Sequence, residues 1–165
     1  MRRLLVPLAF AVLALSDPLA SWVGSSLPRP GRFDIDGQPK SWAGSGAFFG
    51  SAFALTAAGL TMLEPFTGYG AAEIAGVALL VATLATVAEL LGRHGWDNLT
   101  IVVAVTTPLV ALHSDPARLP ELLTALAWAV GFGGVAFALR FLSPSGVLAA
   151  GLLAFAVVGL GGWDW

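Results

Sequence analysis

Long apolar runs separated by short polar intervals make up most of this chain. A segment needs roughly 20 mostly apolar residues to cross a bilayer as a helix. Leu4 to Val23 is the first such run, interrupted by Ser16-Asp17-Pro18. Gly44 to Leu63 is the second, rich in Ala, Gly and Phe, and Ala71 to Leu91 is the third, carrying Glu73 and Glu89. Leu99 to Leu112 is shorter and contains Pro108, which favours a tilted, kinked or partly buried segment. Glu121 to Leu142 and Ser145 to Trp163 follow. The pattern predicts an all-α, polytopic integral membrane protein with about six transmembrane helices, or five if the fourth segment re-enters rather than spans.

Composition supports that reading. The 165 residues are 57% hydrophobic and 11% charged, with a mean hydropathy of +0.84. A soluble domain carries about 25% charged residues, so this chain lacks the polar surface to cover a core in water. The net charge of −2, with no basic stripe, gives no case for nucleic acid. Cysteine is absent, which excludes disulfides, thiolate metal sites and thiol nucleophiles. His94 and His113 are too far apart in sequence to suggest a His-rich metal site. The basic residues are seven arginines and one lysine, Lys40. A lone lysine suggests a place for a compact, strongly hydrated ammonium.

Arg2 and Arg3 before the first run imitate a secretory signal, but no convincing small-residue cleavage site follows, and Asp17 and Pro18 fall where the apolar stretch should continue. A retained helix is expected. The longest connection, Gly24 to Lys40, holds Arg29, Arg32 and Lys40 with three prolines and three glycines. Within it, Phe33 to Gly37 reads as a small hairpin or an extended stretch ending in an Asp-Gly turn. With six helices, five basic residues (Arg29, Arg32, Lys40, Arg93, Arg140) share one side and three (Arg2, Arg3, Arg118) the other, which favours a cytoplasmic long loop. Trp22, Trp42, Trp96, Trp163 and Trp165 lie near span ends, as in an interfacial belt. Gly46 and Gly50, four apart, permit close helix contact.

The chemistry must reside in the few polar residues near these spans. A carboxylate in a membrane helix costs a few kcal/mol even on the gentler scales. Asp17 and Glu89 both fall near the membrane face that carries the long loop, where Asp97 and Asn98 also open. Glu64, Glu73, Asp115, Glu121 and Asp164 read as helix ends and loop solvation. The stretch Lys40-Ser41-Trp42-Ala43-Gly44-Ser45 precedes an apolar helix. A helix N-terminus offers unpaired N–H groups and a positive dipole end to phosphate. Ser41 either caps the helix or binds phosphate, Gly44 permits close approach to the backbone, and Lys40 adds a point charge. Acids on the opposite wall suit Mg²⁺ held between a few carboxylates and phosphate oxygens. These residues point to a nucleotide or polyphosphate site at one membrane face.

Three motifs then resemble a known family. Ser16 to Gly24 (SDPLASWVG), Gly37 to Ser45 (GQPKSWAGS) and Ala88 to Thr100 (AELLGRHGWDNLT) are similar, in order, to those of the CTP-dependent polyprenol kinases, which include phytol, farnesol and dolichol kinases and are distantly related to phosphatidate cytidylyltransferase. The resemblance covers roughly residues 8 to 112. It implies transfer of the γ-phosphate of CTP to a long-chain isoprenoid alcohol at the membrane surface, with Mg²⁺. It implies Asp17, Glu89 and Asp97 as catalytic residues, Asp17 and Asp97 also as metal ligands, and Lys40, Ser41, Gly44, Ser45 and Asn98 as nucleotide- or phosphate-binding residues. It further implies a polyprenol-kinase-like domain over 1–142 and a C-terminal helix over 143–165 resembling the start of a family related to phytyl-phosphate kinase. Members of the family usually carry further helices before the Asp17 segment. The resemblance therefore also implies a shortened or split form, with either a homodimer or a partner chain supplying the missing helices. A bacterial inner-membrane location is expected. A cytidylyltransferase that joins CTP to a lipid phosphate, or a small transporter or structural subunit without chemistry, are the alternatives.

Overall fold

The computed structural model describes residues 5–26, 31–63, 66–92 and 95–162. Arg2, Arg3, Arg29, Glu64, Arg93, His94, Trp163, Asp164 and Trp165 lie outside these, and with them part of the basic-residue count that sets the expected orientation. The elements are α1 (Leu5–Ser26), a hairpin of β1 (Arg32–Ile35) and β2 (Gln38–Ser41), α2 (Trp42–Leu60), α3 (Ala71–Leu91), α4 (Trp96–Ser114), α5 (Leu119–Ala138) and α6 (Pro144–Ala154), which continues as π-helix over Phe155–Leu160. Single 3₁₀ turns at Phe66–Gly68 and Pro116–Arg118 precede α3 and α5.

Five of the helices are long and apolar enough to cross a membrane, and the protein is an all-α polytopic membrane protein. Ser16-Asp17-Pro18 does not interrupt the first span, since α1 runs unbroken with Pro18 inside it. The fourth segment, expected to be the short one, is a continuous helix of 19 residues that accommodates Pro108. Its first turn, Trp96 to Asn98, is polar or interfacial and so fell outside the apolar window. The short helix is instead the sixth. Pro144–Leu160 reaches at most ~25 Å at ~1.5 Å per residue, against a hydrocarbon core of ~30 Å.

Helices α1 to α4 close a ring in which α1 packs on α2 and α4, and α3 on α2 and α4; α5 and α6 pack on each other and lean on α3. The most buried helix is α3, with Val77, Ala78, Leu80, Val81, Ala82, Leu84, Ala85 and Ala88 all buried. Where α1 packs on α2, buried positions recur every four residues, Leu8, Val12, Ser16 and Ala20 in α1 and Gly44, Phe48, Ala52, Thr56 and Leu60 in α2, with Leu5 and Ala9 buried beside them. Rows at this spacing form the ridges by which helices interdigitate. Gly46 and Gly50, the pair expected to permit close contact, are instead exposed with open space around them. Because α2 is apolar all round, hydrophobicity does not mark its inner face; side-chain size and small polar groups do.

Most hydroxyls in the spans bond to carbonyls of their own helix. Ser51, Thr83, Thr86, Thr106 and Thr107, for example, each reach the carbonyl four residues earlier at 2.7–2.8 Å. Ser16 Oγ and Thr56 Oγ1, both in the α1–α2 seam, are buried without a partner. A buried unpaired hydroxyl costs about 1–3 kcal/mol. We expect Thr56→Val to be neutral or to raise the thermal unfolding temperature in detergent. Ala52→Leu, which overfills the same seam, should lower stability by about 1–3 kcal/mol. Equal tolerance of both changes would contradict the packing described.

Candidate functional site

The site is assembled at the membrane face where α1 and α3 end and α2 and α4 begin. The hairpin supplies one of its walls. Its register pairs Arg32 with Ser41, Phe33 with Lys40, Asp34 with Pro39 and Ile35 with Gln38. Asp36 and Gly37 hold φ of 51° and 83° at the turn, the left-handed pair that a two-residue hairpin requires and that Asp-Gly favours. The Gly37 N–H donates to Asp34 Oδ1 at 2.7 Å. Ile35 is buried, and the Phe33 ring lies 4.6 Å from that of Trp42, so the hairpin is anchored to the start of α2.

Lys40, the last residue but one of the hairpin, reaches across to the end of α3. Its ammonium donates to the Glu89 carbonyl at 2.9 Å and to Glu89 Oε1 at 2.5 Å. Both side chains are largely withdrawn from solvent, at 18% and 12% exposure. The second carboxylate oxygen, Glu89 Oε2, is buried without a protein partner. A cavity of about 350 Å³ opens here, lined by Asp17, Arg32, Lys40, Ser41, Gly44, Ser45 and Glu89 among others. Six of the eight residues expected from sequence therefore line one cavity.

Local geometry refines several of these assignments. Ser41 Oγ accepts the Gly44 N–H at 3.0 Å, so Ser41 caps α2. The Trp42 N–H is bonded to the Gly31 carbonyl at 3.0 Å. Two first-turn donors of α2 are thus already used, which leaves the dipole and the nearby cations as its main attraction for an anion. Gly44 is needed for helix approach: a Cβ there would stand 2.9 Å from Ser41 Oγ and 3.0 Å from the Ala20 carbonyl. Gly24 sits opposite, where a Cβ would come 2.7 Å from Ser41 Oγ.

Asp97 and Asn98 do not line the cavity. Asp97 is half-buried in the first turn of α4, and its Oδ1 accepts the Asn98 N–H at 3.0 Å. Asp97 and Lys40 are the charged neighbours of Asp17, so the three acids and the lysine share one electrostatic neighbourhood. Asn98 is exposed. Asp97 is brought near by Gly92, where a Cβ would fall 2.2 Å from Asp97 Cβ. Gly95, with φ of 86°, turns the chain into α4. The sequence marks Arg32 as a loop cation, not as a site residue. The Asp-Gly turn was its signal, since counting outward from Asp36-Gly37 pairs it with Ser41.

Among the described residues no group of three or more His, Asp or Glu side chains gathers as a metal cage. Mg²⁺ asks for less, since it is held by one or two carboxylates together with substrate phosphates and water. Asp17 and the unpartnered Glu89 Oε2 line the cavity, and Asp97 lies outside it in the first turn of α4. Among the described residues, Glu73, Asp115 and Glu121 behave as helix-end groups. Glu73 accepts the Gly70 N–H, Asp115 accepts the Ala117 N–H, and Glu121 pairs with Arg118 at 3.7 Å. At that opposite end burial pushes the Tyr69 phenol above its ordinary pKa, and the Glu73 and Asp115 charges add to the effect.

Compared with protein-family models, with curated proteins and with solved structures, the chain finds no match in any of the three.

The Gly92 contact is open to a direct check. Gly92→Ala must displace the first turn of α4, and we expect it to lower stability in detergent by about 1–3 kcal/mol. Gly50→Ala, in open space on α2, should be neutral or stabilising by up to about 1 kcal/mol. Thermal unfolding of the two variants side by side decides the matter; a harmless Gly92→Ala would mean that α4 is not held against Gly92.

Proposed function

We propose that this protein is a phosphotransferase that moves the γ-phosphate of CTP to the hydroxyl of a long-chain isoprenoid alcohol at the membrane surface. The motif resemblance supplies the nucleotide and the acceptor. The observation that carries the reading is the single cavity in which Lys40 and Ser45 of one motif meet Asp17 and Glu89 of the other two. In a cavity walled by low-dielectric helices, two cations and a helix N-terminus favour a polyphosphate. Lys40 and Arg32 neutralise its oxygens. Phosphoryl transfer depends mainly on such positioning and charge neutralisation.

Glu89 is suited to the acceptor. Lys40 holds one of its oxygens, and the other is left to accept the proton of the alcohol. The alcohol oxygen then bonds to the γ-phosphorus as the bridge to the β-phosphate breaks, and CDP leaves. Asp17 and Asp97 are the residues that would hold Mg²⁺, which when bound supplies charge neutralisation for the phosphates. The end that carries the hairpin would face the cytoplasm, where CTP is found; Arg32, Lys40 and Arg140 lie at that end and Arg118 at the other.

Purified protein supplied with labelled CTP and a panel of prenols and diacylglycerol tests the proposal. Lipid phosphate and CDP are the expected products. Loss of one of these charges from the cavity, by Lys40→Ala or Asp17→Asn, should reduce the rate about 10²-fold or more. Unchanged rates in both variants would remove the site assignment. CDP-lipid with pyrophosphate would mark a cytidylyltransferase instead.

A further inference from the structure

The polar groups that line the cavity fall into two sets, those already committed within the protein and those that are not. Lys40 spends two of its three N–H donors on Glu89, one on the carboxylate and one on the carbonyl. Ser41 Oγ accepts the Gly44 N–H, and Ser25 Oγ donates to the Trp22 carbonyl at 3.0 Å. Arg32, Gln38, Ser21 and Ser45 also line the cavity, and among the described residues none of their side chains makes a hydrogen bond or an ion pair. For the serines this is unusual here. Most hydroxyls in the spans turn back to a carbonyl of their own helix, as Ser51, Thr83 and Thr106 do. Ser21 of α1 and Ser45 of α2 do not.

Arg32 is the most telling of the uncommitted groups. It opens β1 directly opposite Ser41, the N-cap of α2. Residues directly opposite in an antiparallel ladder share a face, so the guanidinium stands at the N-terminus of α2. The positive end of the helix dipole suits an anion there and disfavours a cation. No carboxylate offsets the arrangement. Glu89 is taken by Lys40, and Asp34, two residues along β1, accepts the N–H of Gly37 in its own turn. Asp17 lines the cavity but forms no ion pair among the described residues. A cation with five N–H donors is therefore held beside a helix N-terminus, on the wall of a cavity, without a counter-charge. An anion in the cavity would remove the conflict; nothing within the described protein does.

We infer that Arg32 is the residue through which the cavity binds a polyphosphate, while Lys40 stays on Glu89 as a positioning residue. The inference rests on the proposed reaction for reading the anion as a nucleoside triphosphate, but not for the presence of an anion site. The planar guanidinium can hold two phosphate oxygens at once. The Ser21 and Ser45 hydroxyls and the Gln38 amide are further donors, and Lys40 has one N–H left to add. Binding of this kind keeps the Lys40–Glu89 pair intact, so the anion enters without leaving the Glu89 charge uncompensated. The two cations thus divide the work: Arg32 sets affinity for the anion, and Lys40 sets the position of Glu89.

The experiment titrates the full chain in detergent micelles with inorganic tripolyphosphate, followed by calorimetry. Arg32→Ala should weaken binding about 10- to 100-fold, as expected for loss of hydrogen bonds to a charged group. Arg32→Lys should recover only part of the loss, because an ammonium lacks the planar fork. Arg140→Ala removes an exposed cation at the same end that does not line the cavity, and should leave the Kd unchanged. Lys40→Met combined with Glu89→Gln removes the pair without changing net charge, and should weaken binding far less than Arg32→Ala. Three results would overturn the inference: no binding by the unaltered protein, equal weakening by Arg32→Ala and Arg140→Ala, or binding lost in the double variant and kept in Arg32→Ala. Tighter binding of dihexanoyl phosphatidate than of tripolyphosphate, lost in Arg32→Ala, would assign Arg32 to a lipid head group and also overturn it. Kinetics give a second reading. In the labelled-CTP assay Arg32→Ala should act mainly on KM for CTP and the double variant mainly on kcat, a split that a general structural fault would not produce. Tripolyphosphate bound through Arg32 by a protein that does not phosphorylate prenols would sustain the anion site and defeat the kinase reading. Prenol phosphorylation with a KM for CTP indifferent to Arg32→Ala would do the reverse.

Discussion

The pairing of Lys40 with Glu89 is the constraint on which the polar end of the molecule depends. It joins residues 49 positions apart, and it does so where neither charge has easy access to water. Separating such a pair leaves an uncompensated charge in a low-dielectric setting, at a cost of about 3–5 kcal/mol. The lysine comes from the hairpin and the start of α2, and the glutamate from the end of α3. One contact therefore sets the distance between two motifs that are remote in sequence. Because Lys40 also bonds to the Glu89 backbone carbonyl, it caps the end of α3 as well as neutralising the side chain.

The rest of the scaffold brings elements close enough for that contact to form. At the site end of the α1–α2 seam Gly24 and Gly44 meet, and Ser41 fills the space that a Cβ would need. Gly92 performs a comparable service between α3 and α4. A few small residues thus draw four helix ends together, and the charges those ends carry become neighbours. The polar cavity lies at the end of the ring of α1 to α4.

Much of this was legible in the residues. Apolar run lengths gave the span of α3 to the residue, and the other spans to within a few residues. Asp17, Lys40, Ser45 and Glu89 stood out because a charge or a capping pattern is conspicuous against an apolar background. What remained hidden has physical causes. A helix that is apolar on every side carries no periodic hydrophobic signal, so the exposed Gly46 and Gly50 looked as suited to packing as the buried Gly44. Ser41 matched two roles, and only the position of the Gly44 N–H selected capping. Arg32 could be placed only through the hairpin register. The ion pair itself has no sequence signal, since the motifs place Lys40 across a phosphate site from the acids as readily as in contact with one of them. The π-helical end of α6 has no local sequence signature at all.

A double-mutant cycle on Lys40 and Glu89 tests the central claim most directly, read as unfolding free energy in mixed micelles. Lys40→Met and Glu89→Gln each remove one partner and should each destabilise strongly, by about 3–5 kcal/mol. Lys40→Met combined with Glu89→Gln leaves no unpaired charge and should lose far less than the two single losses together. If the losses simply add, to within about 0.5 kcal/mol, the two side chains are not coupled and the polar site is not built around their contact.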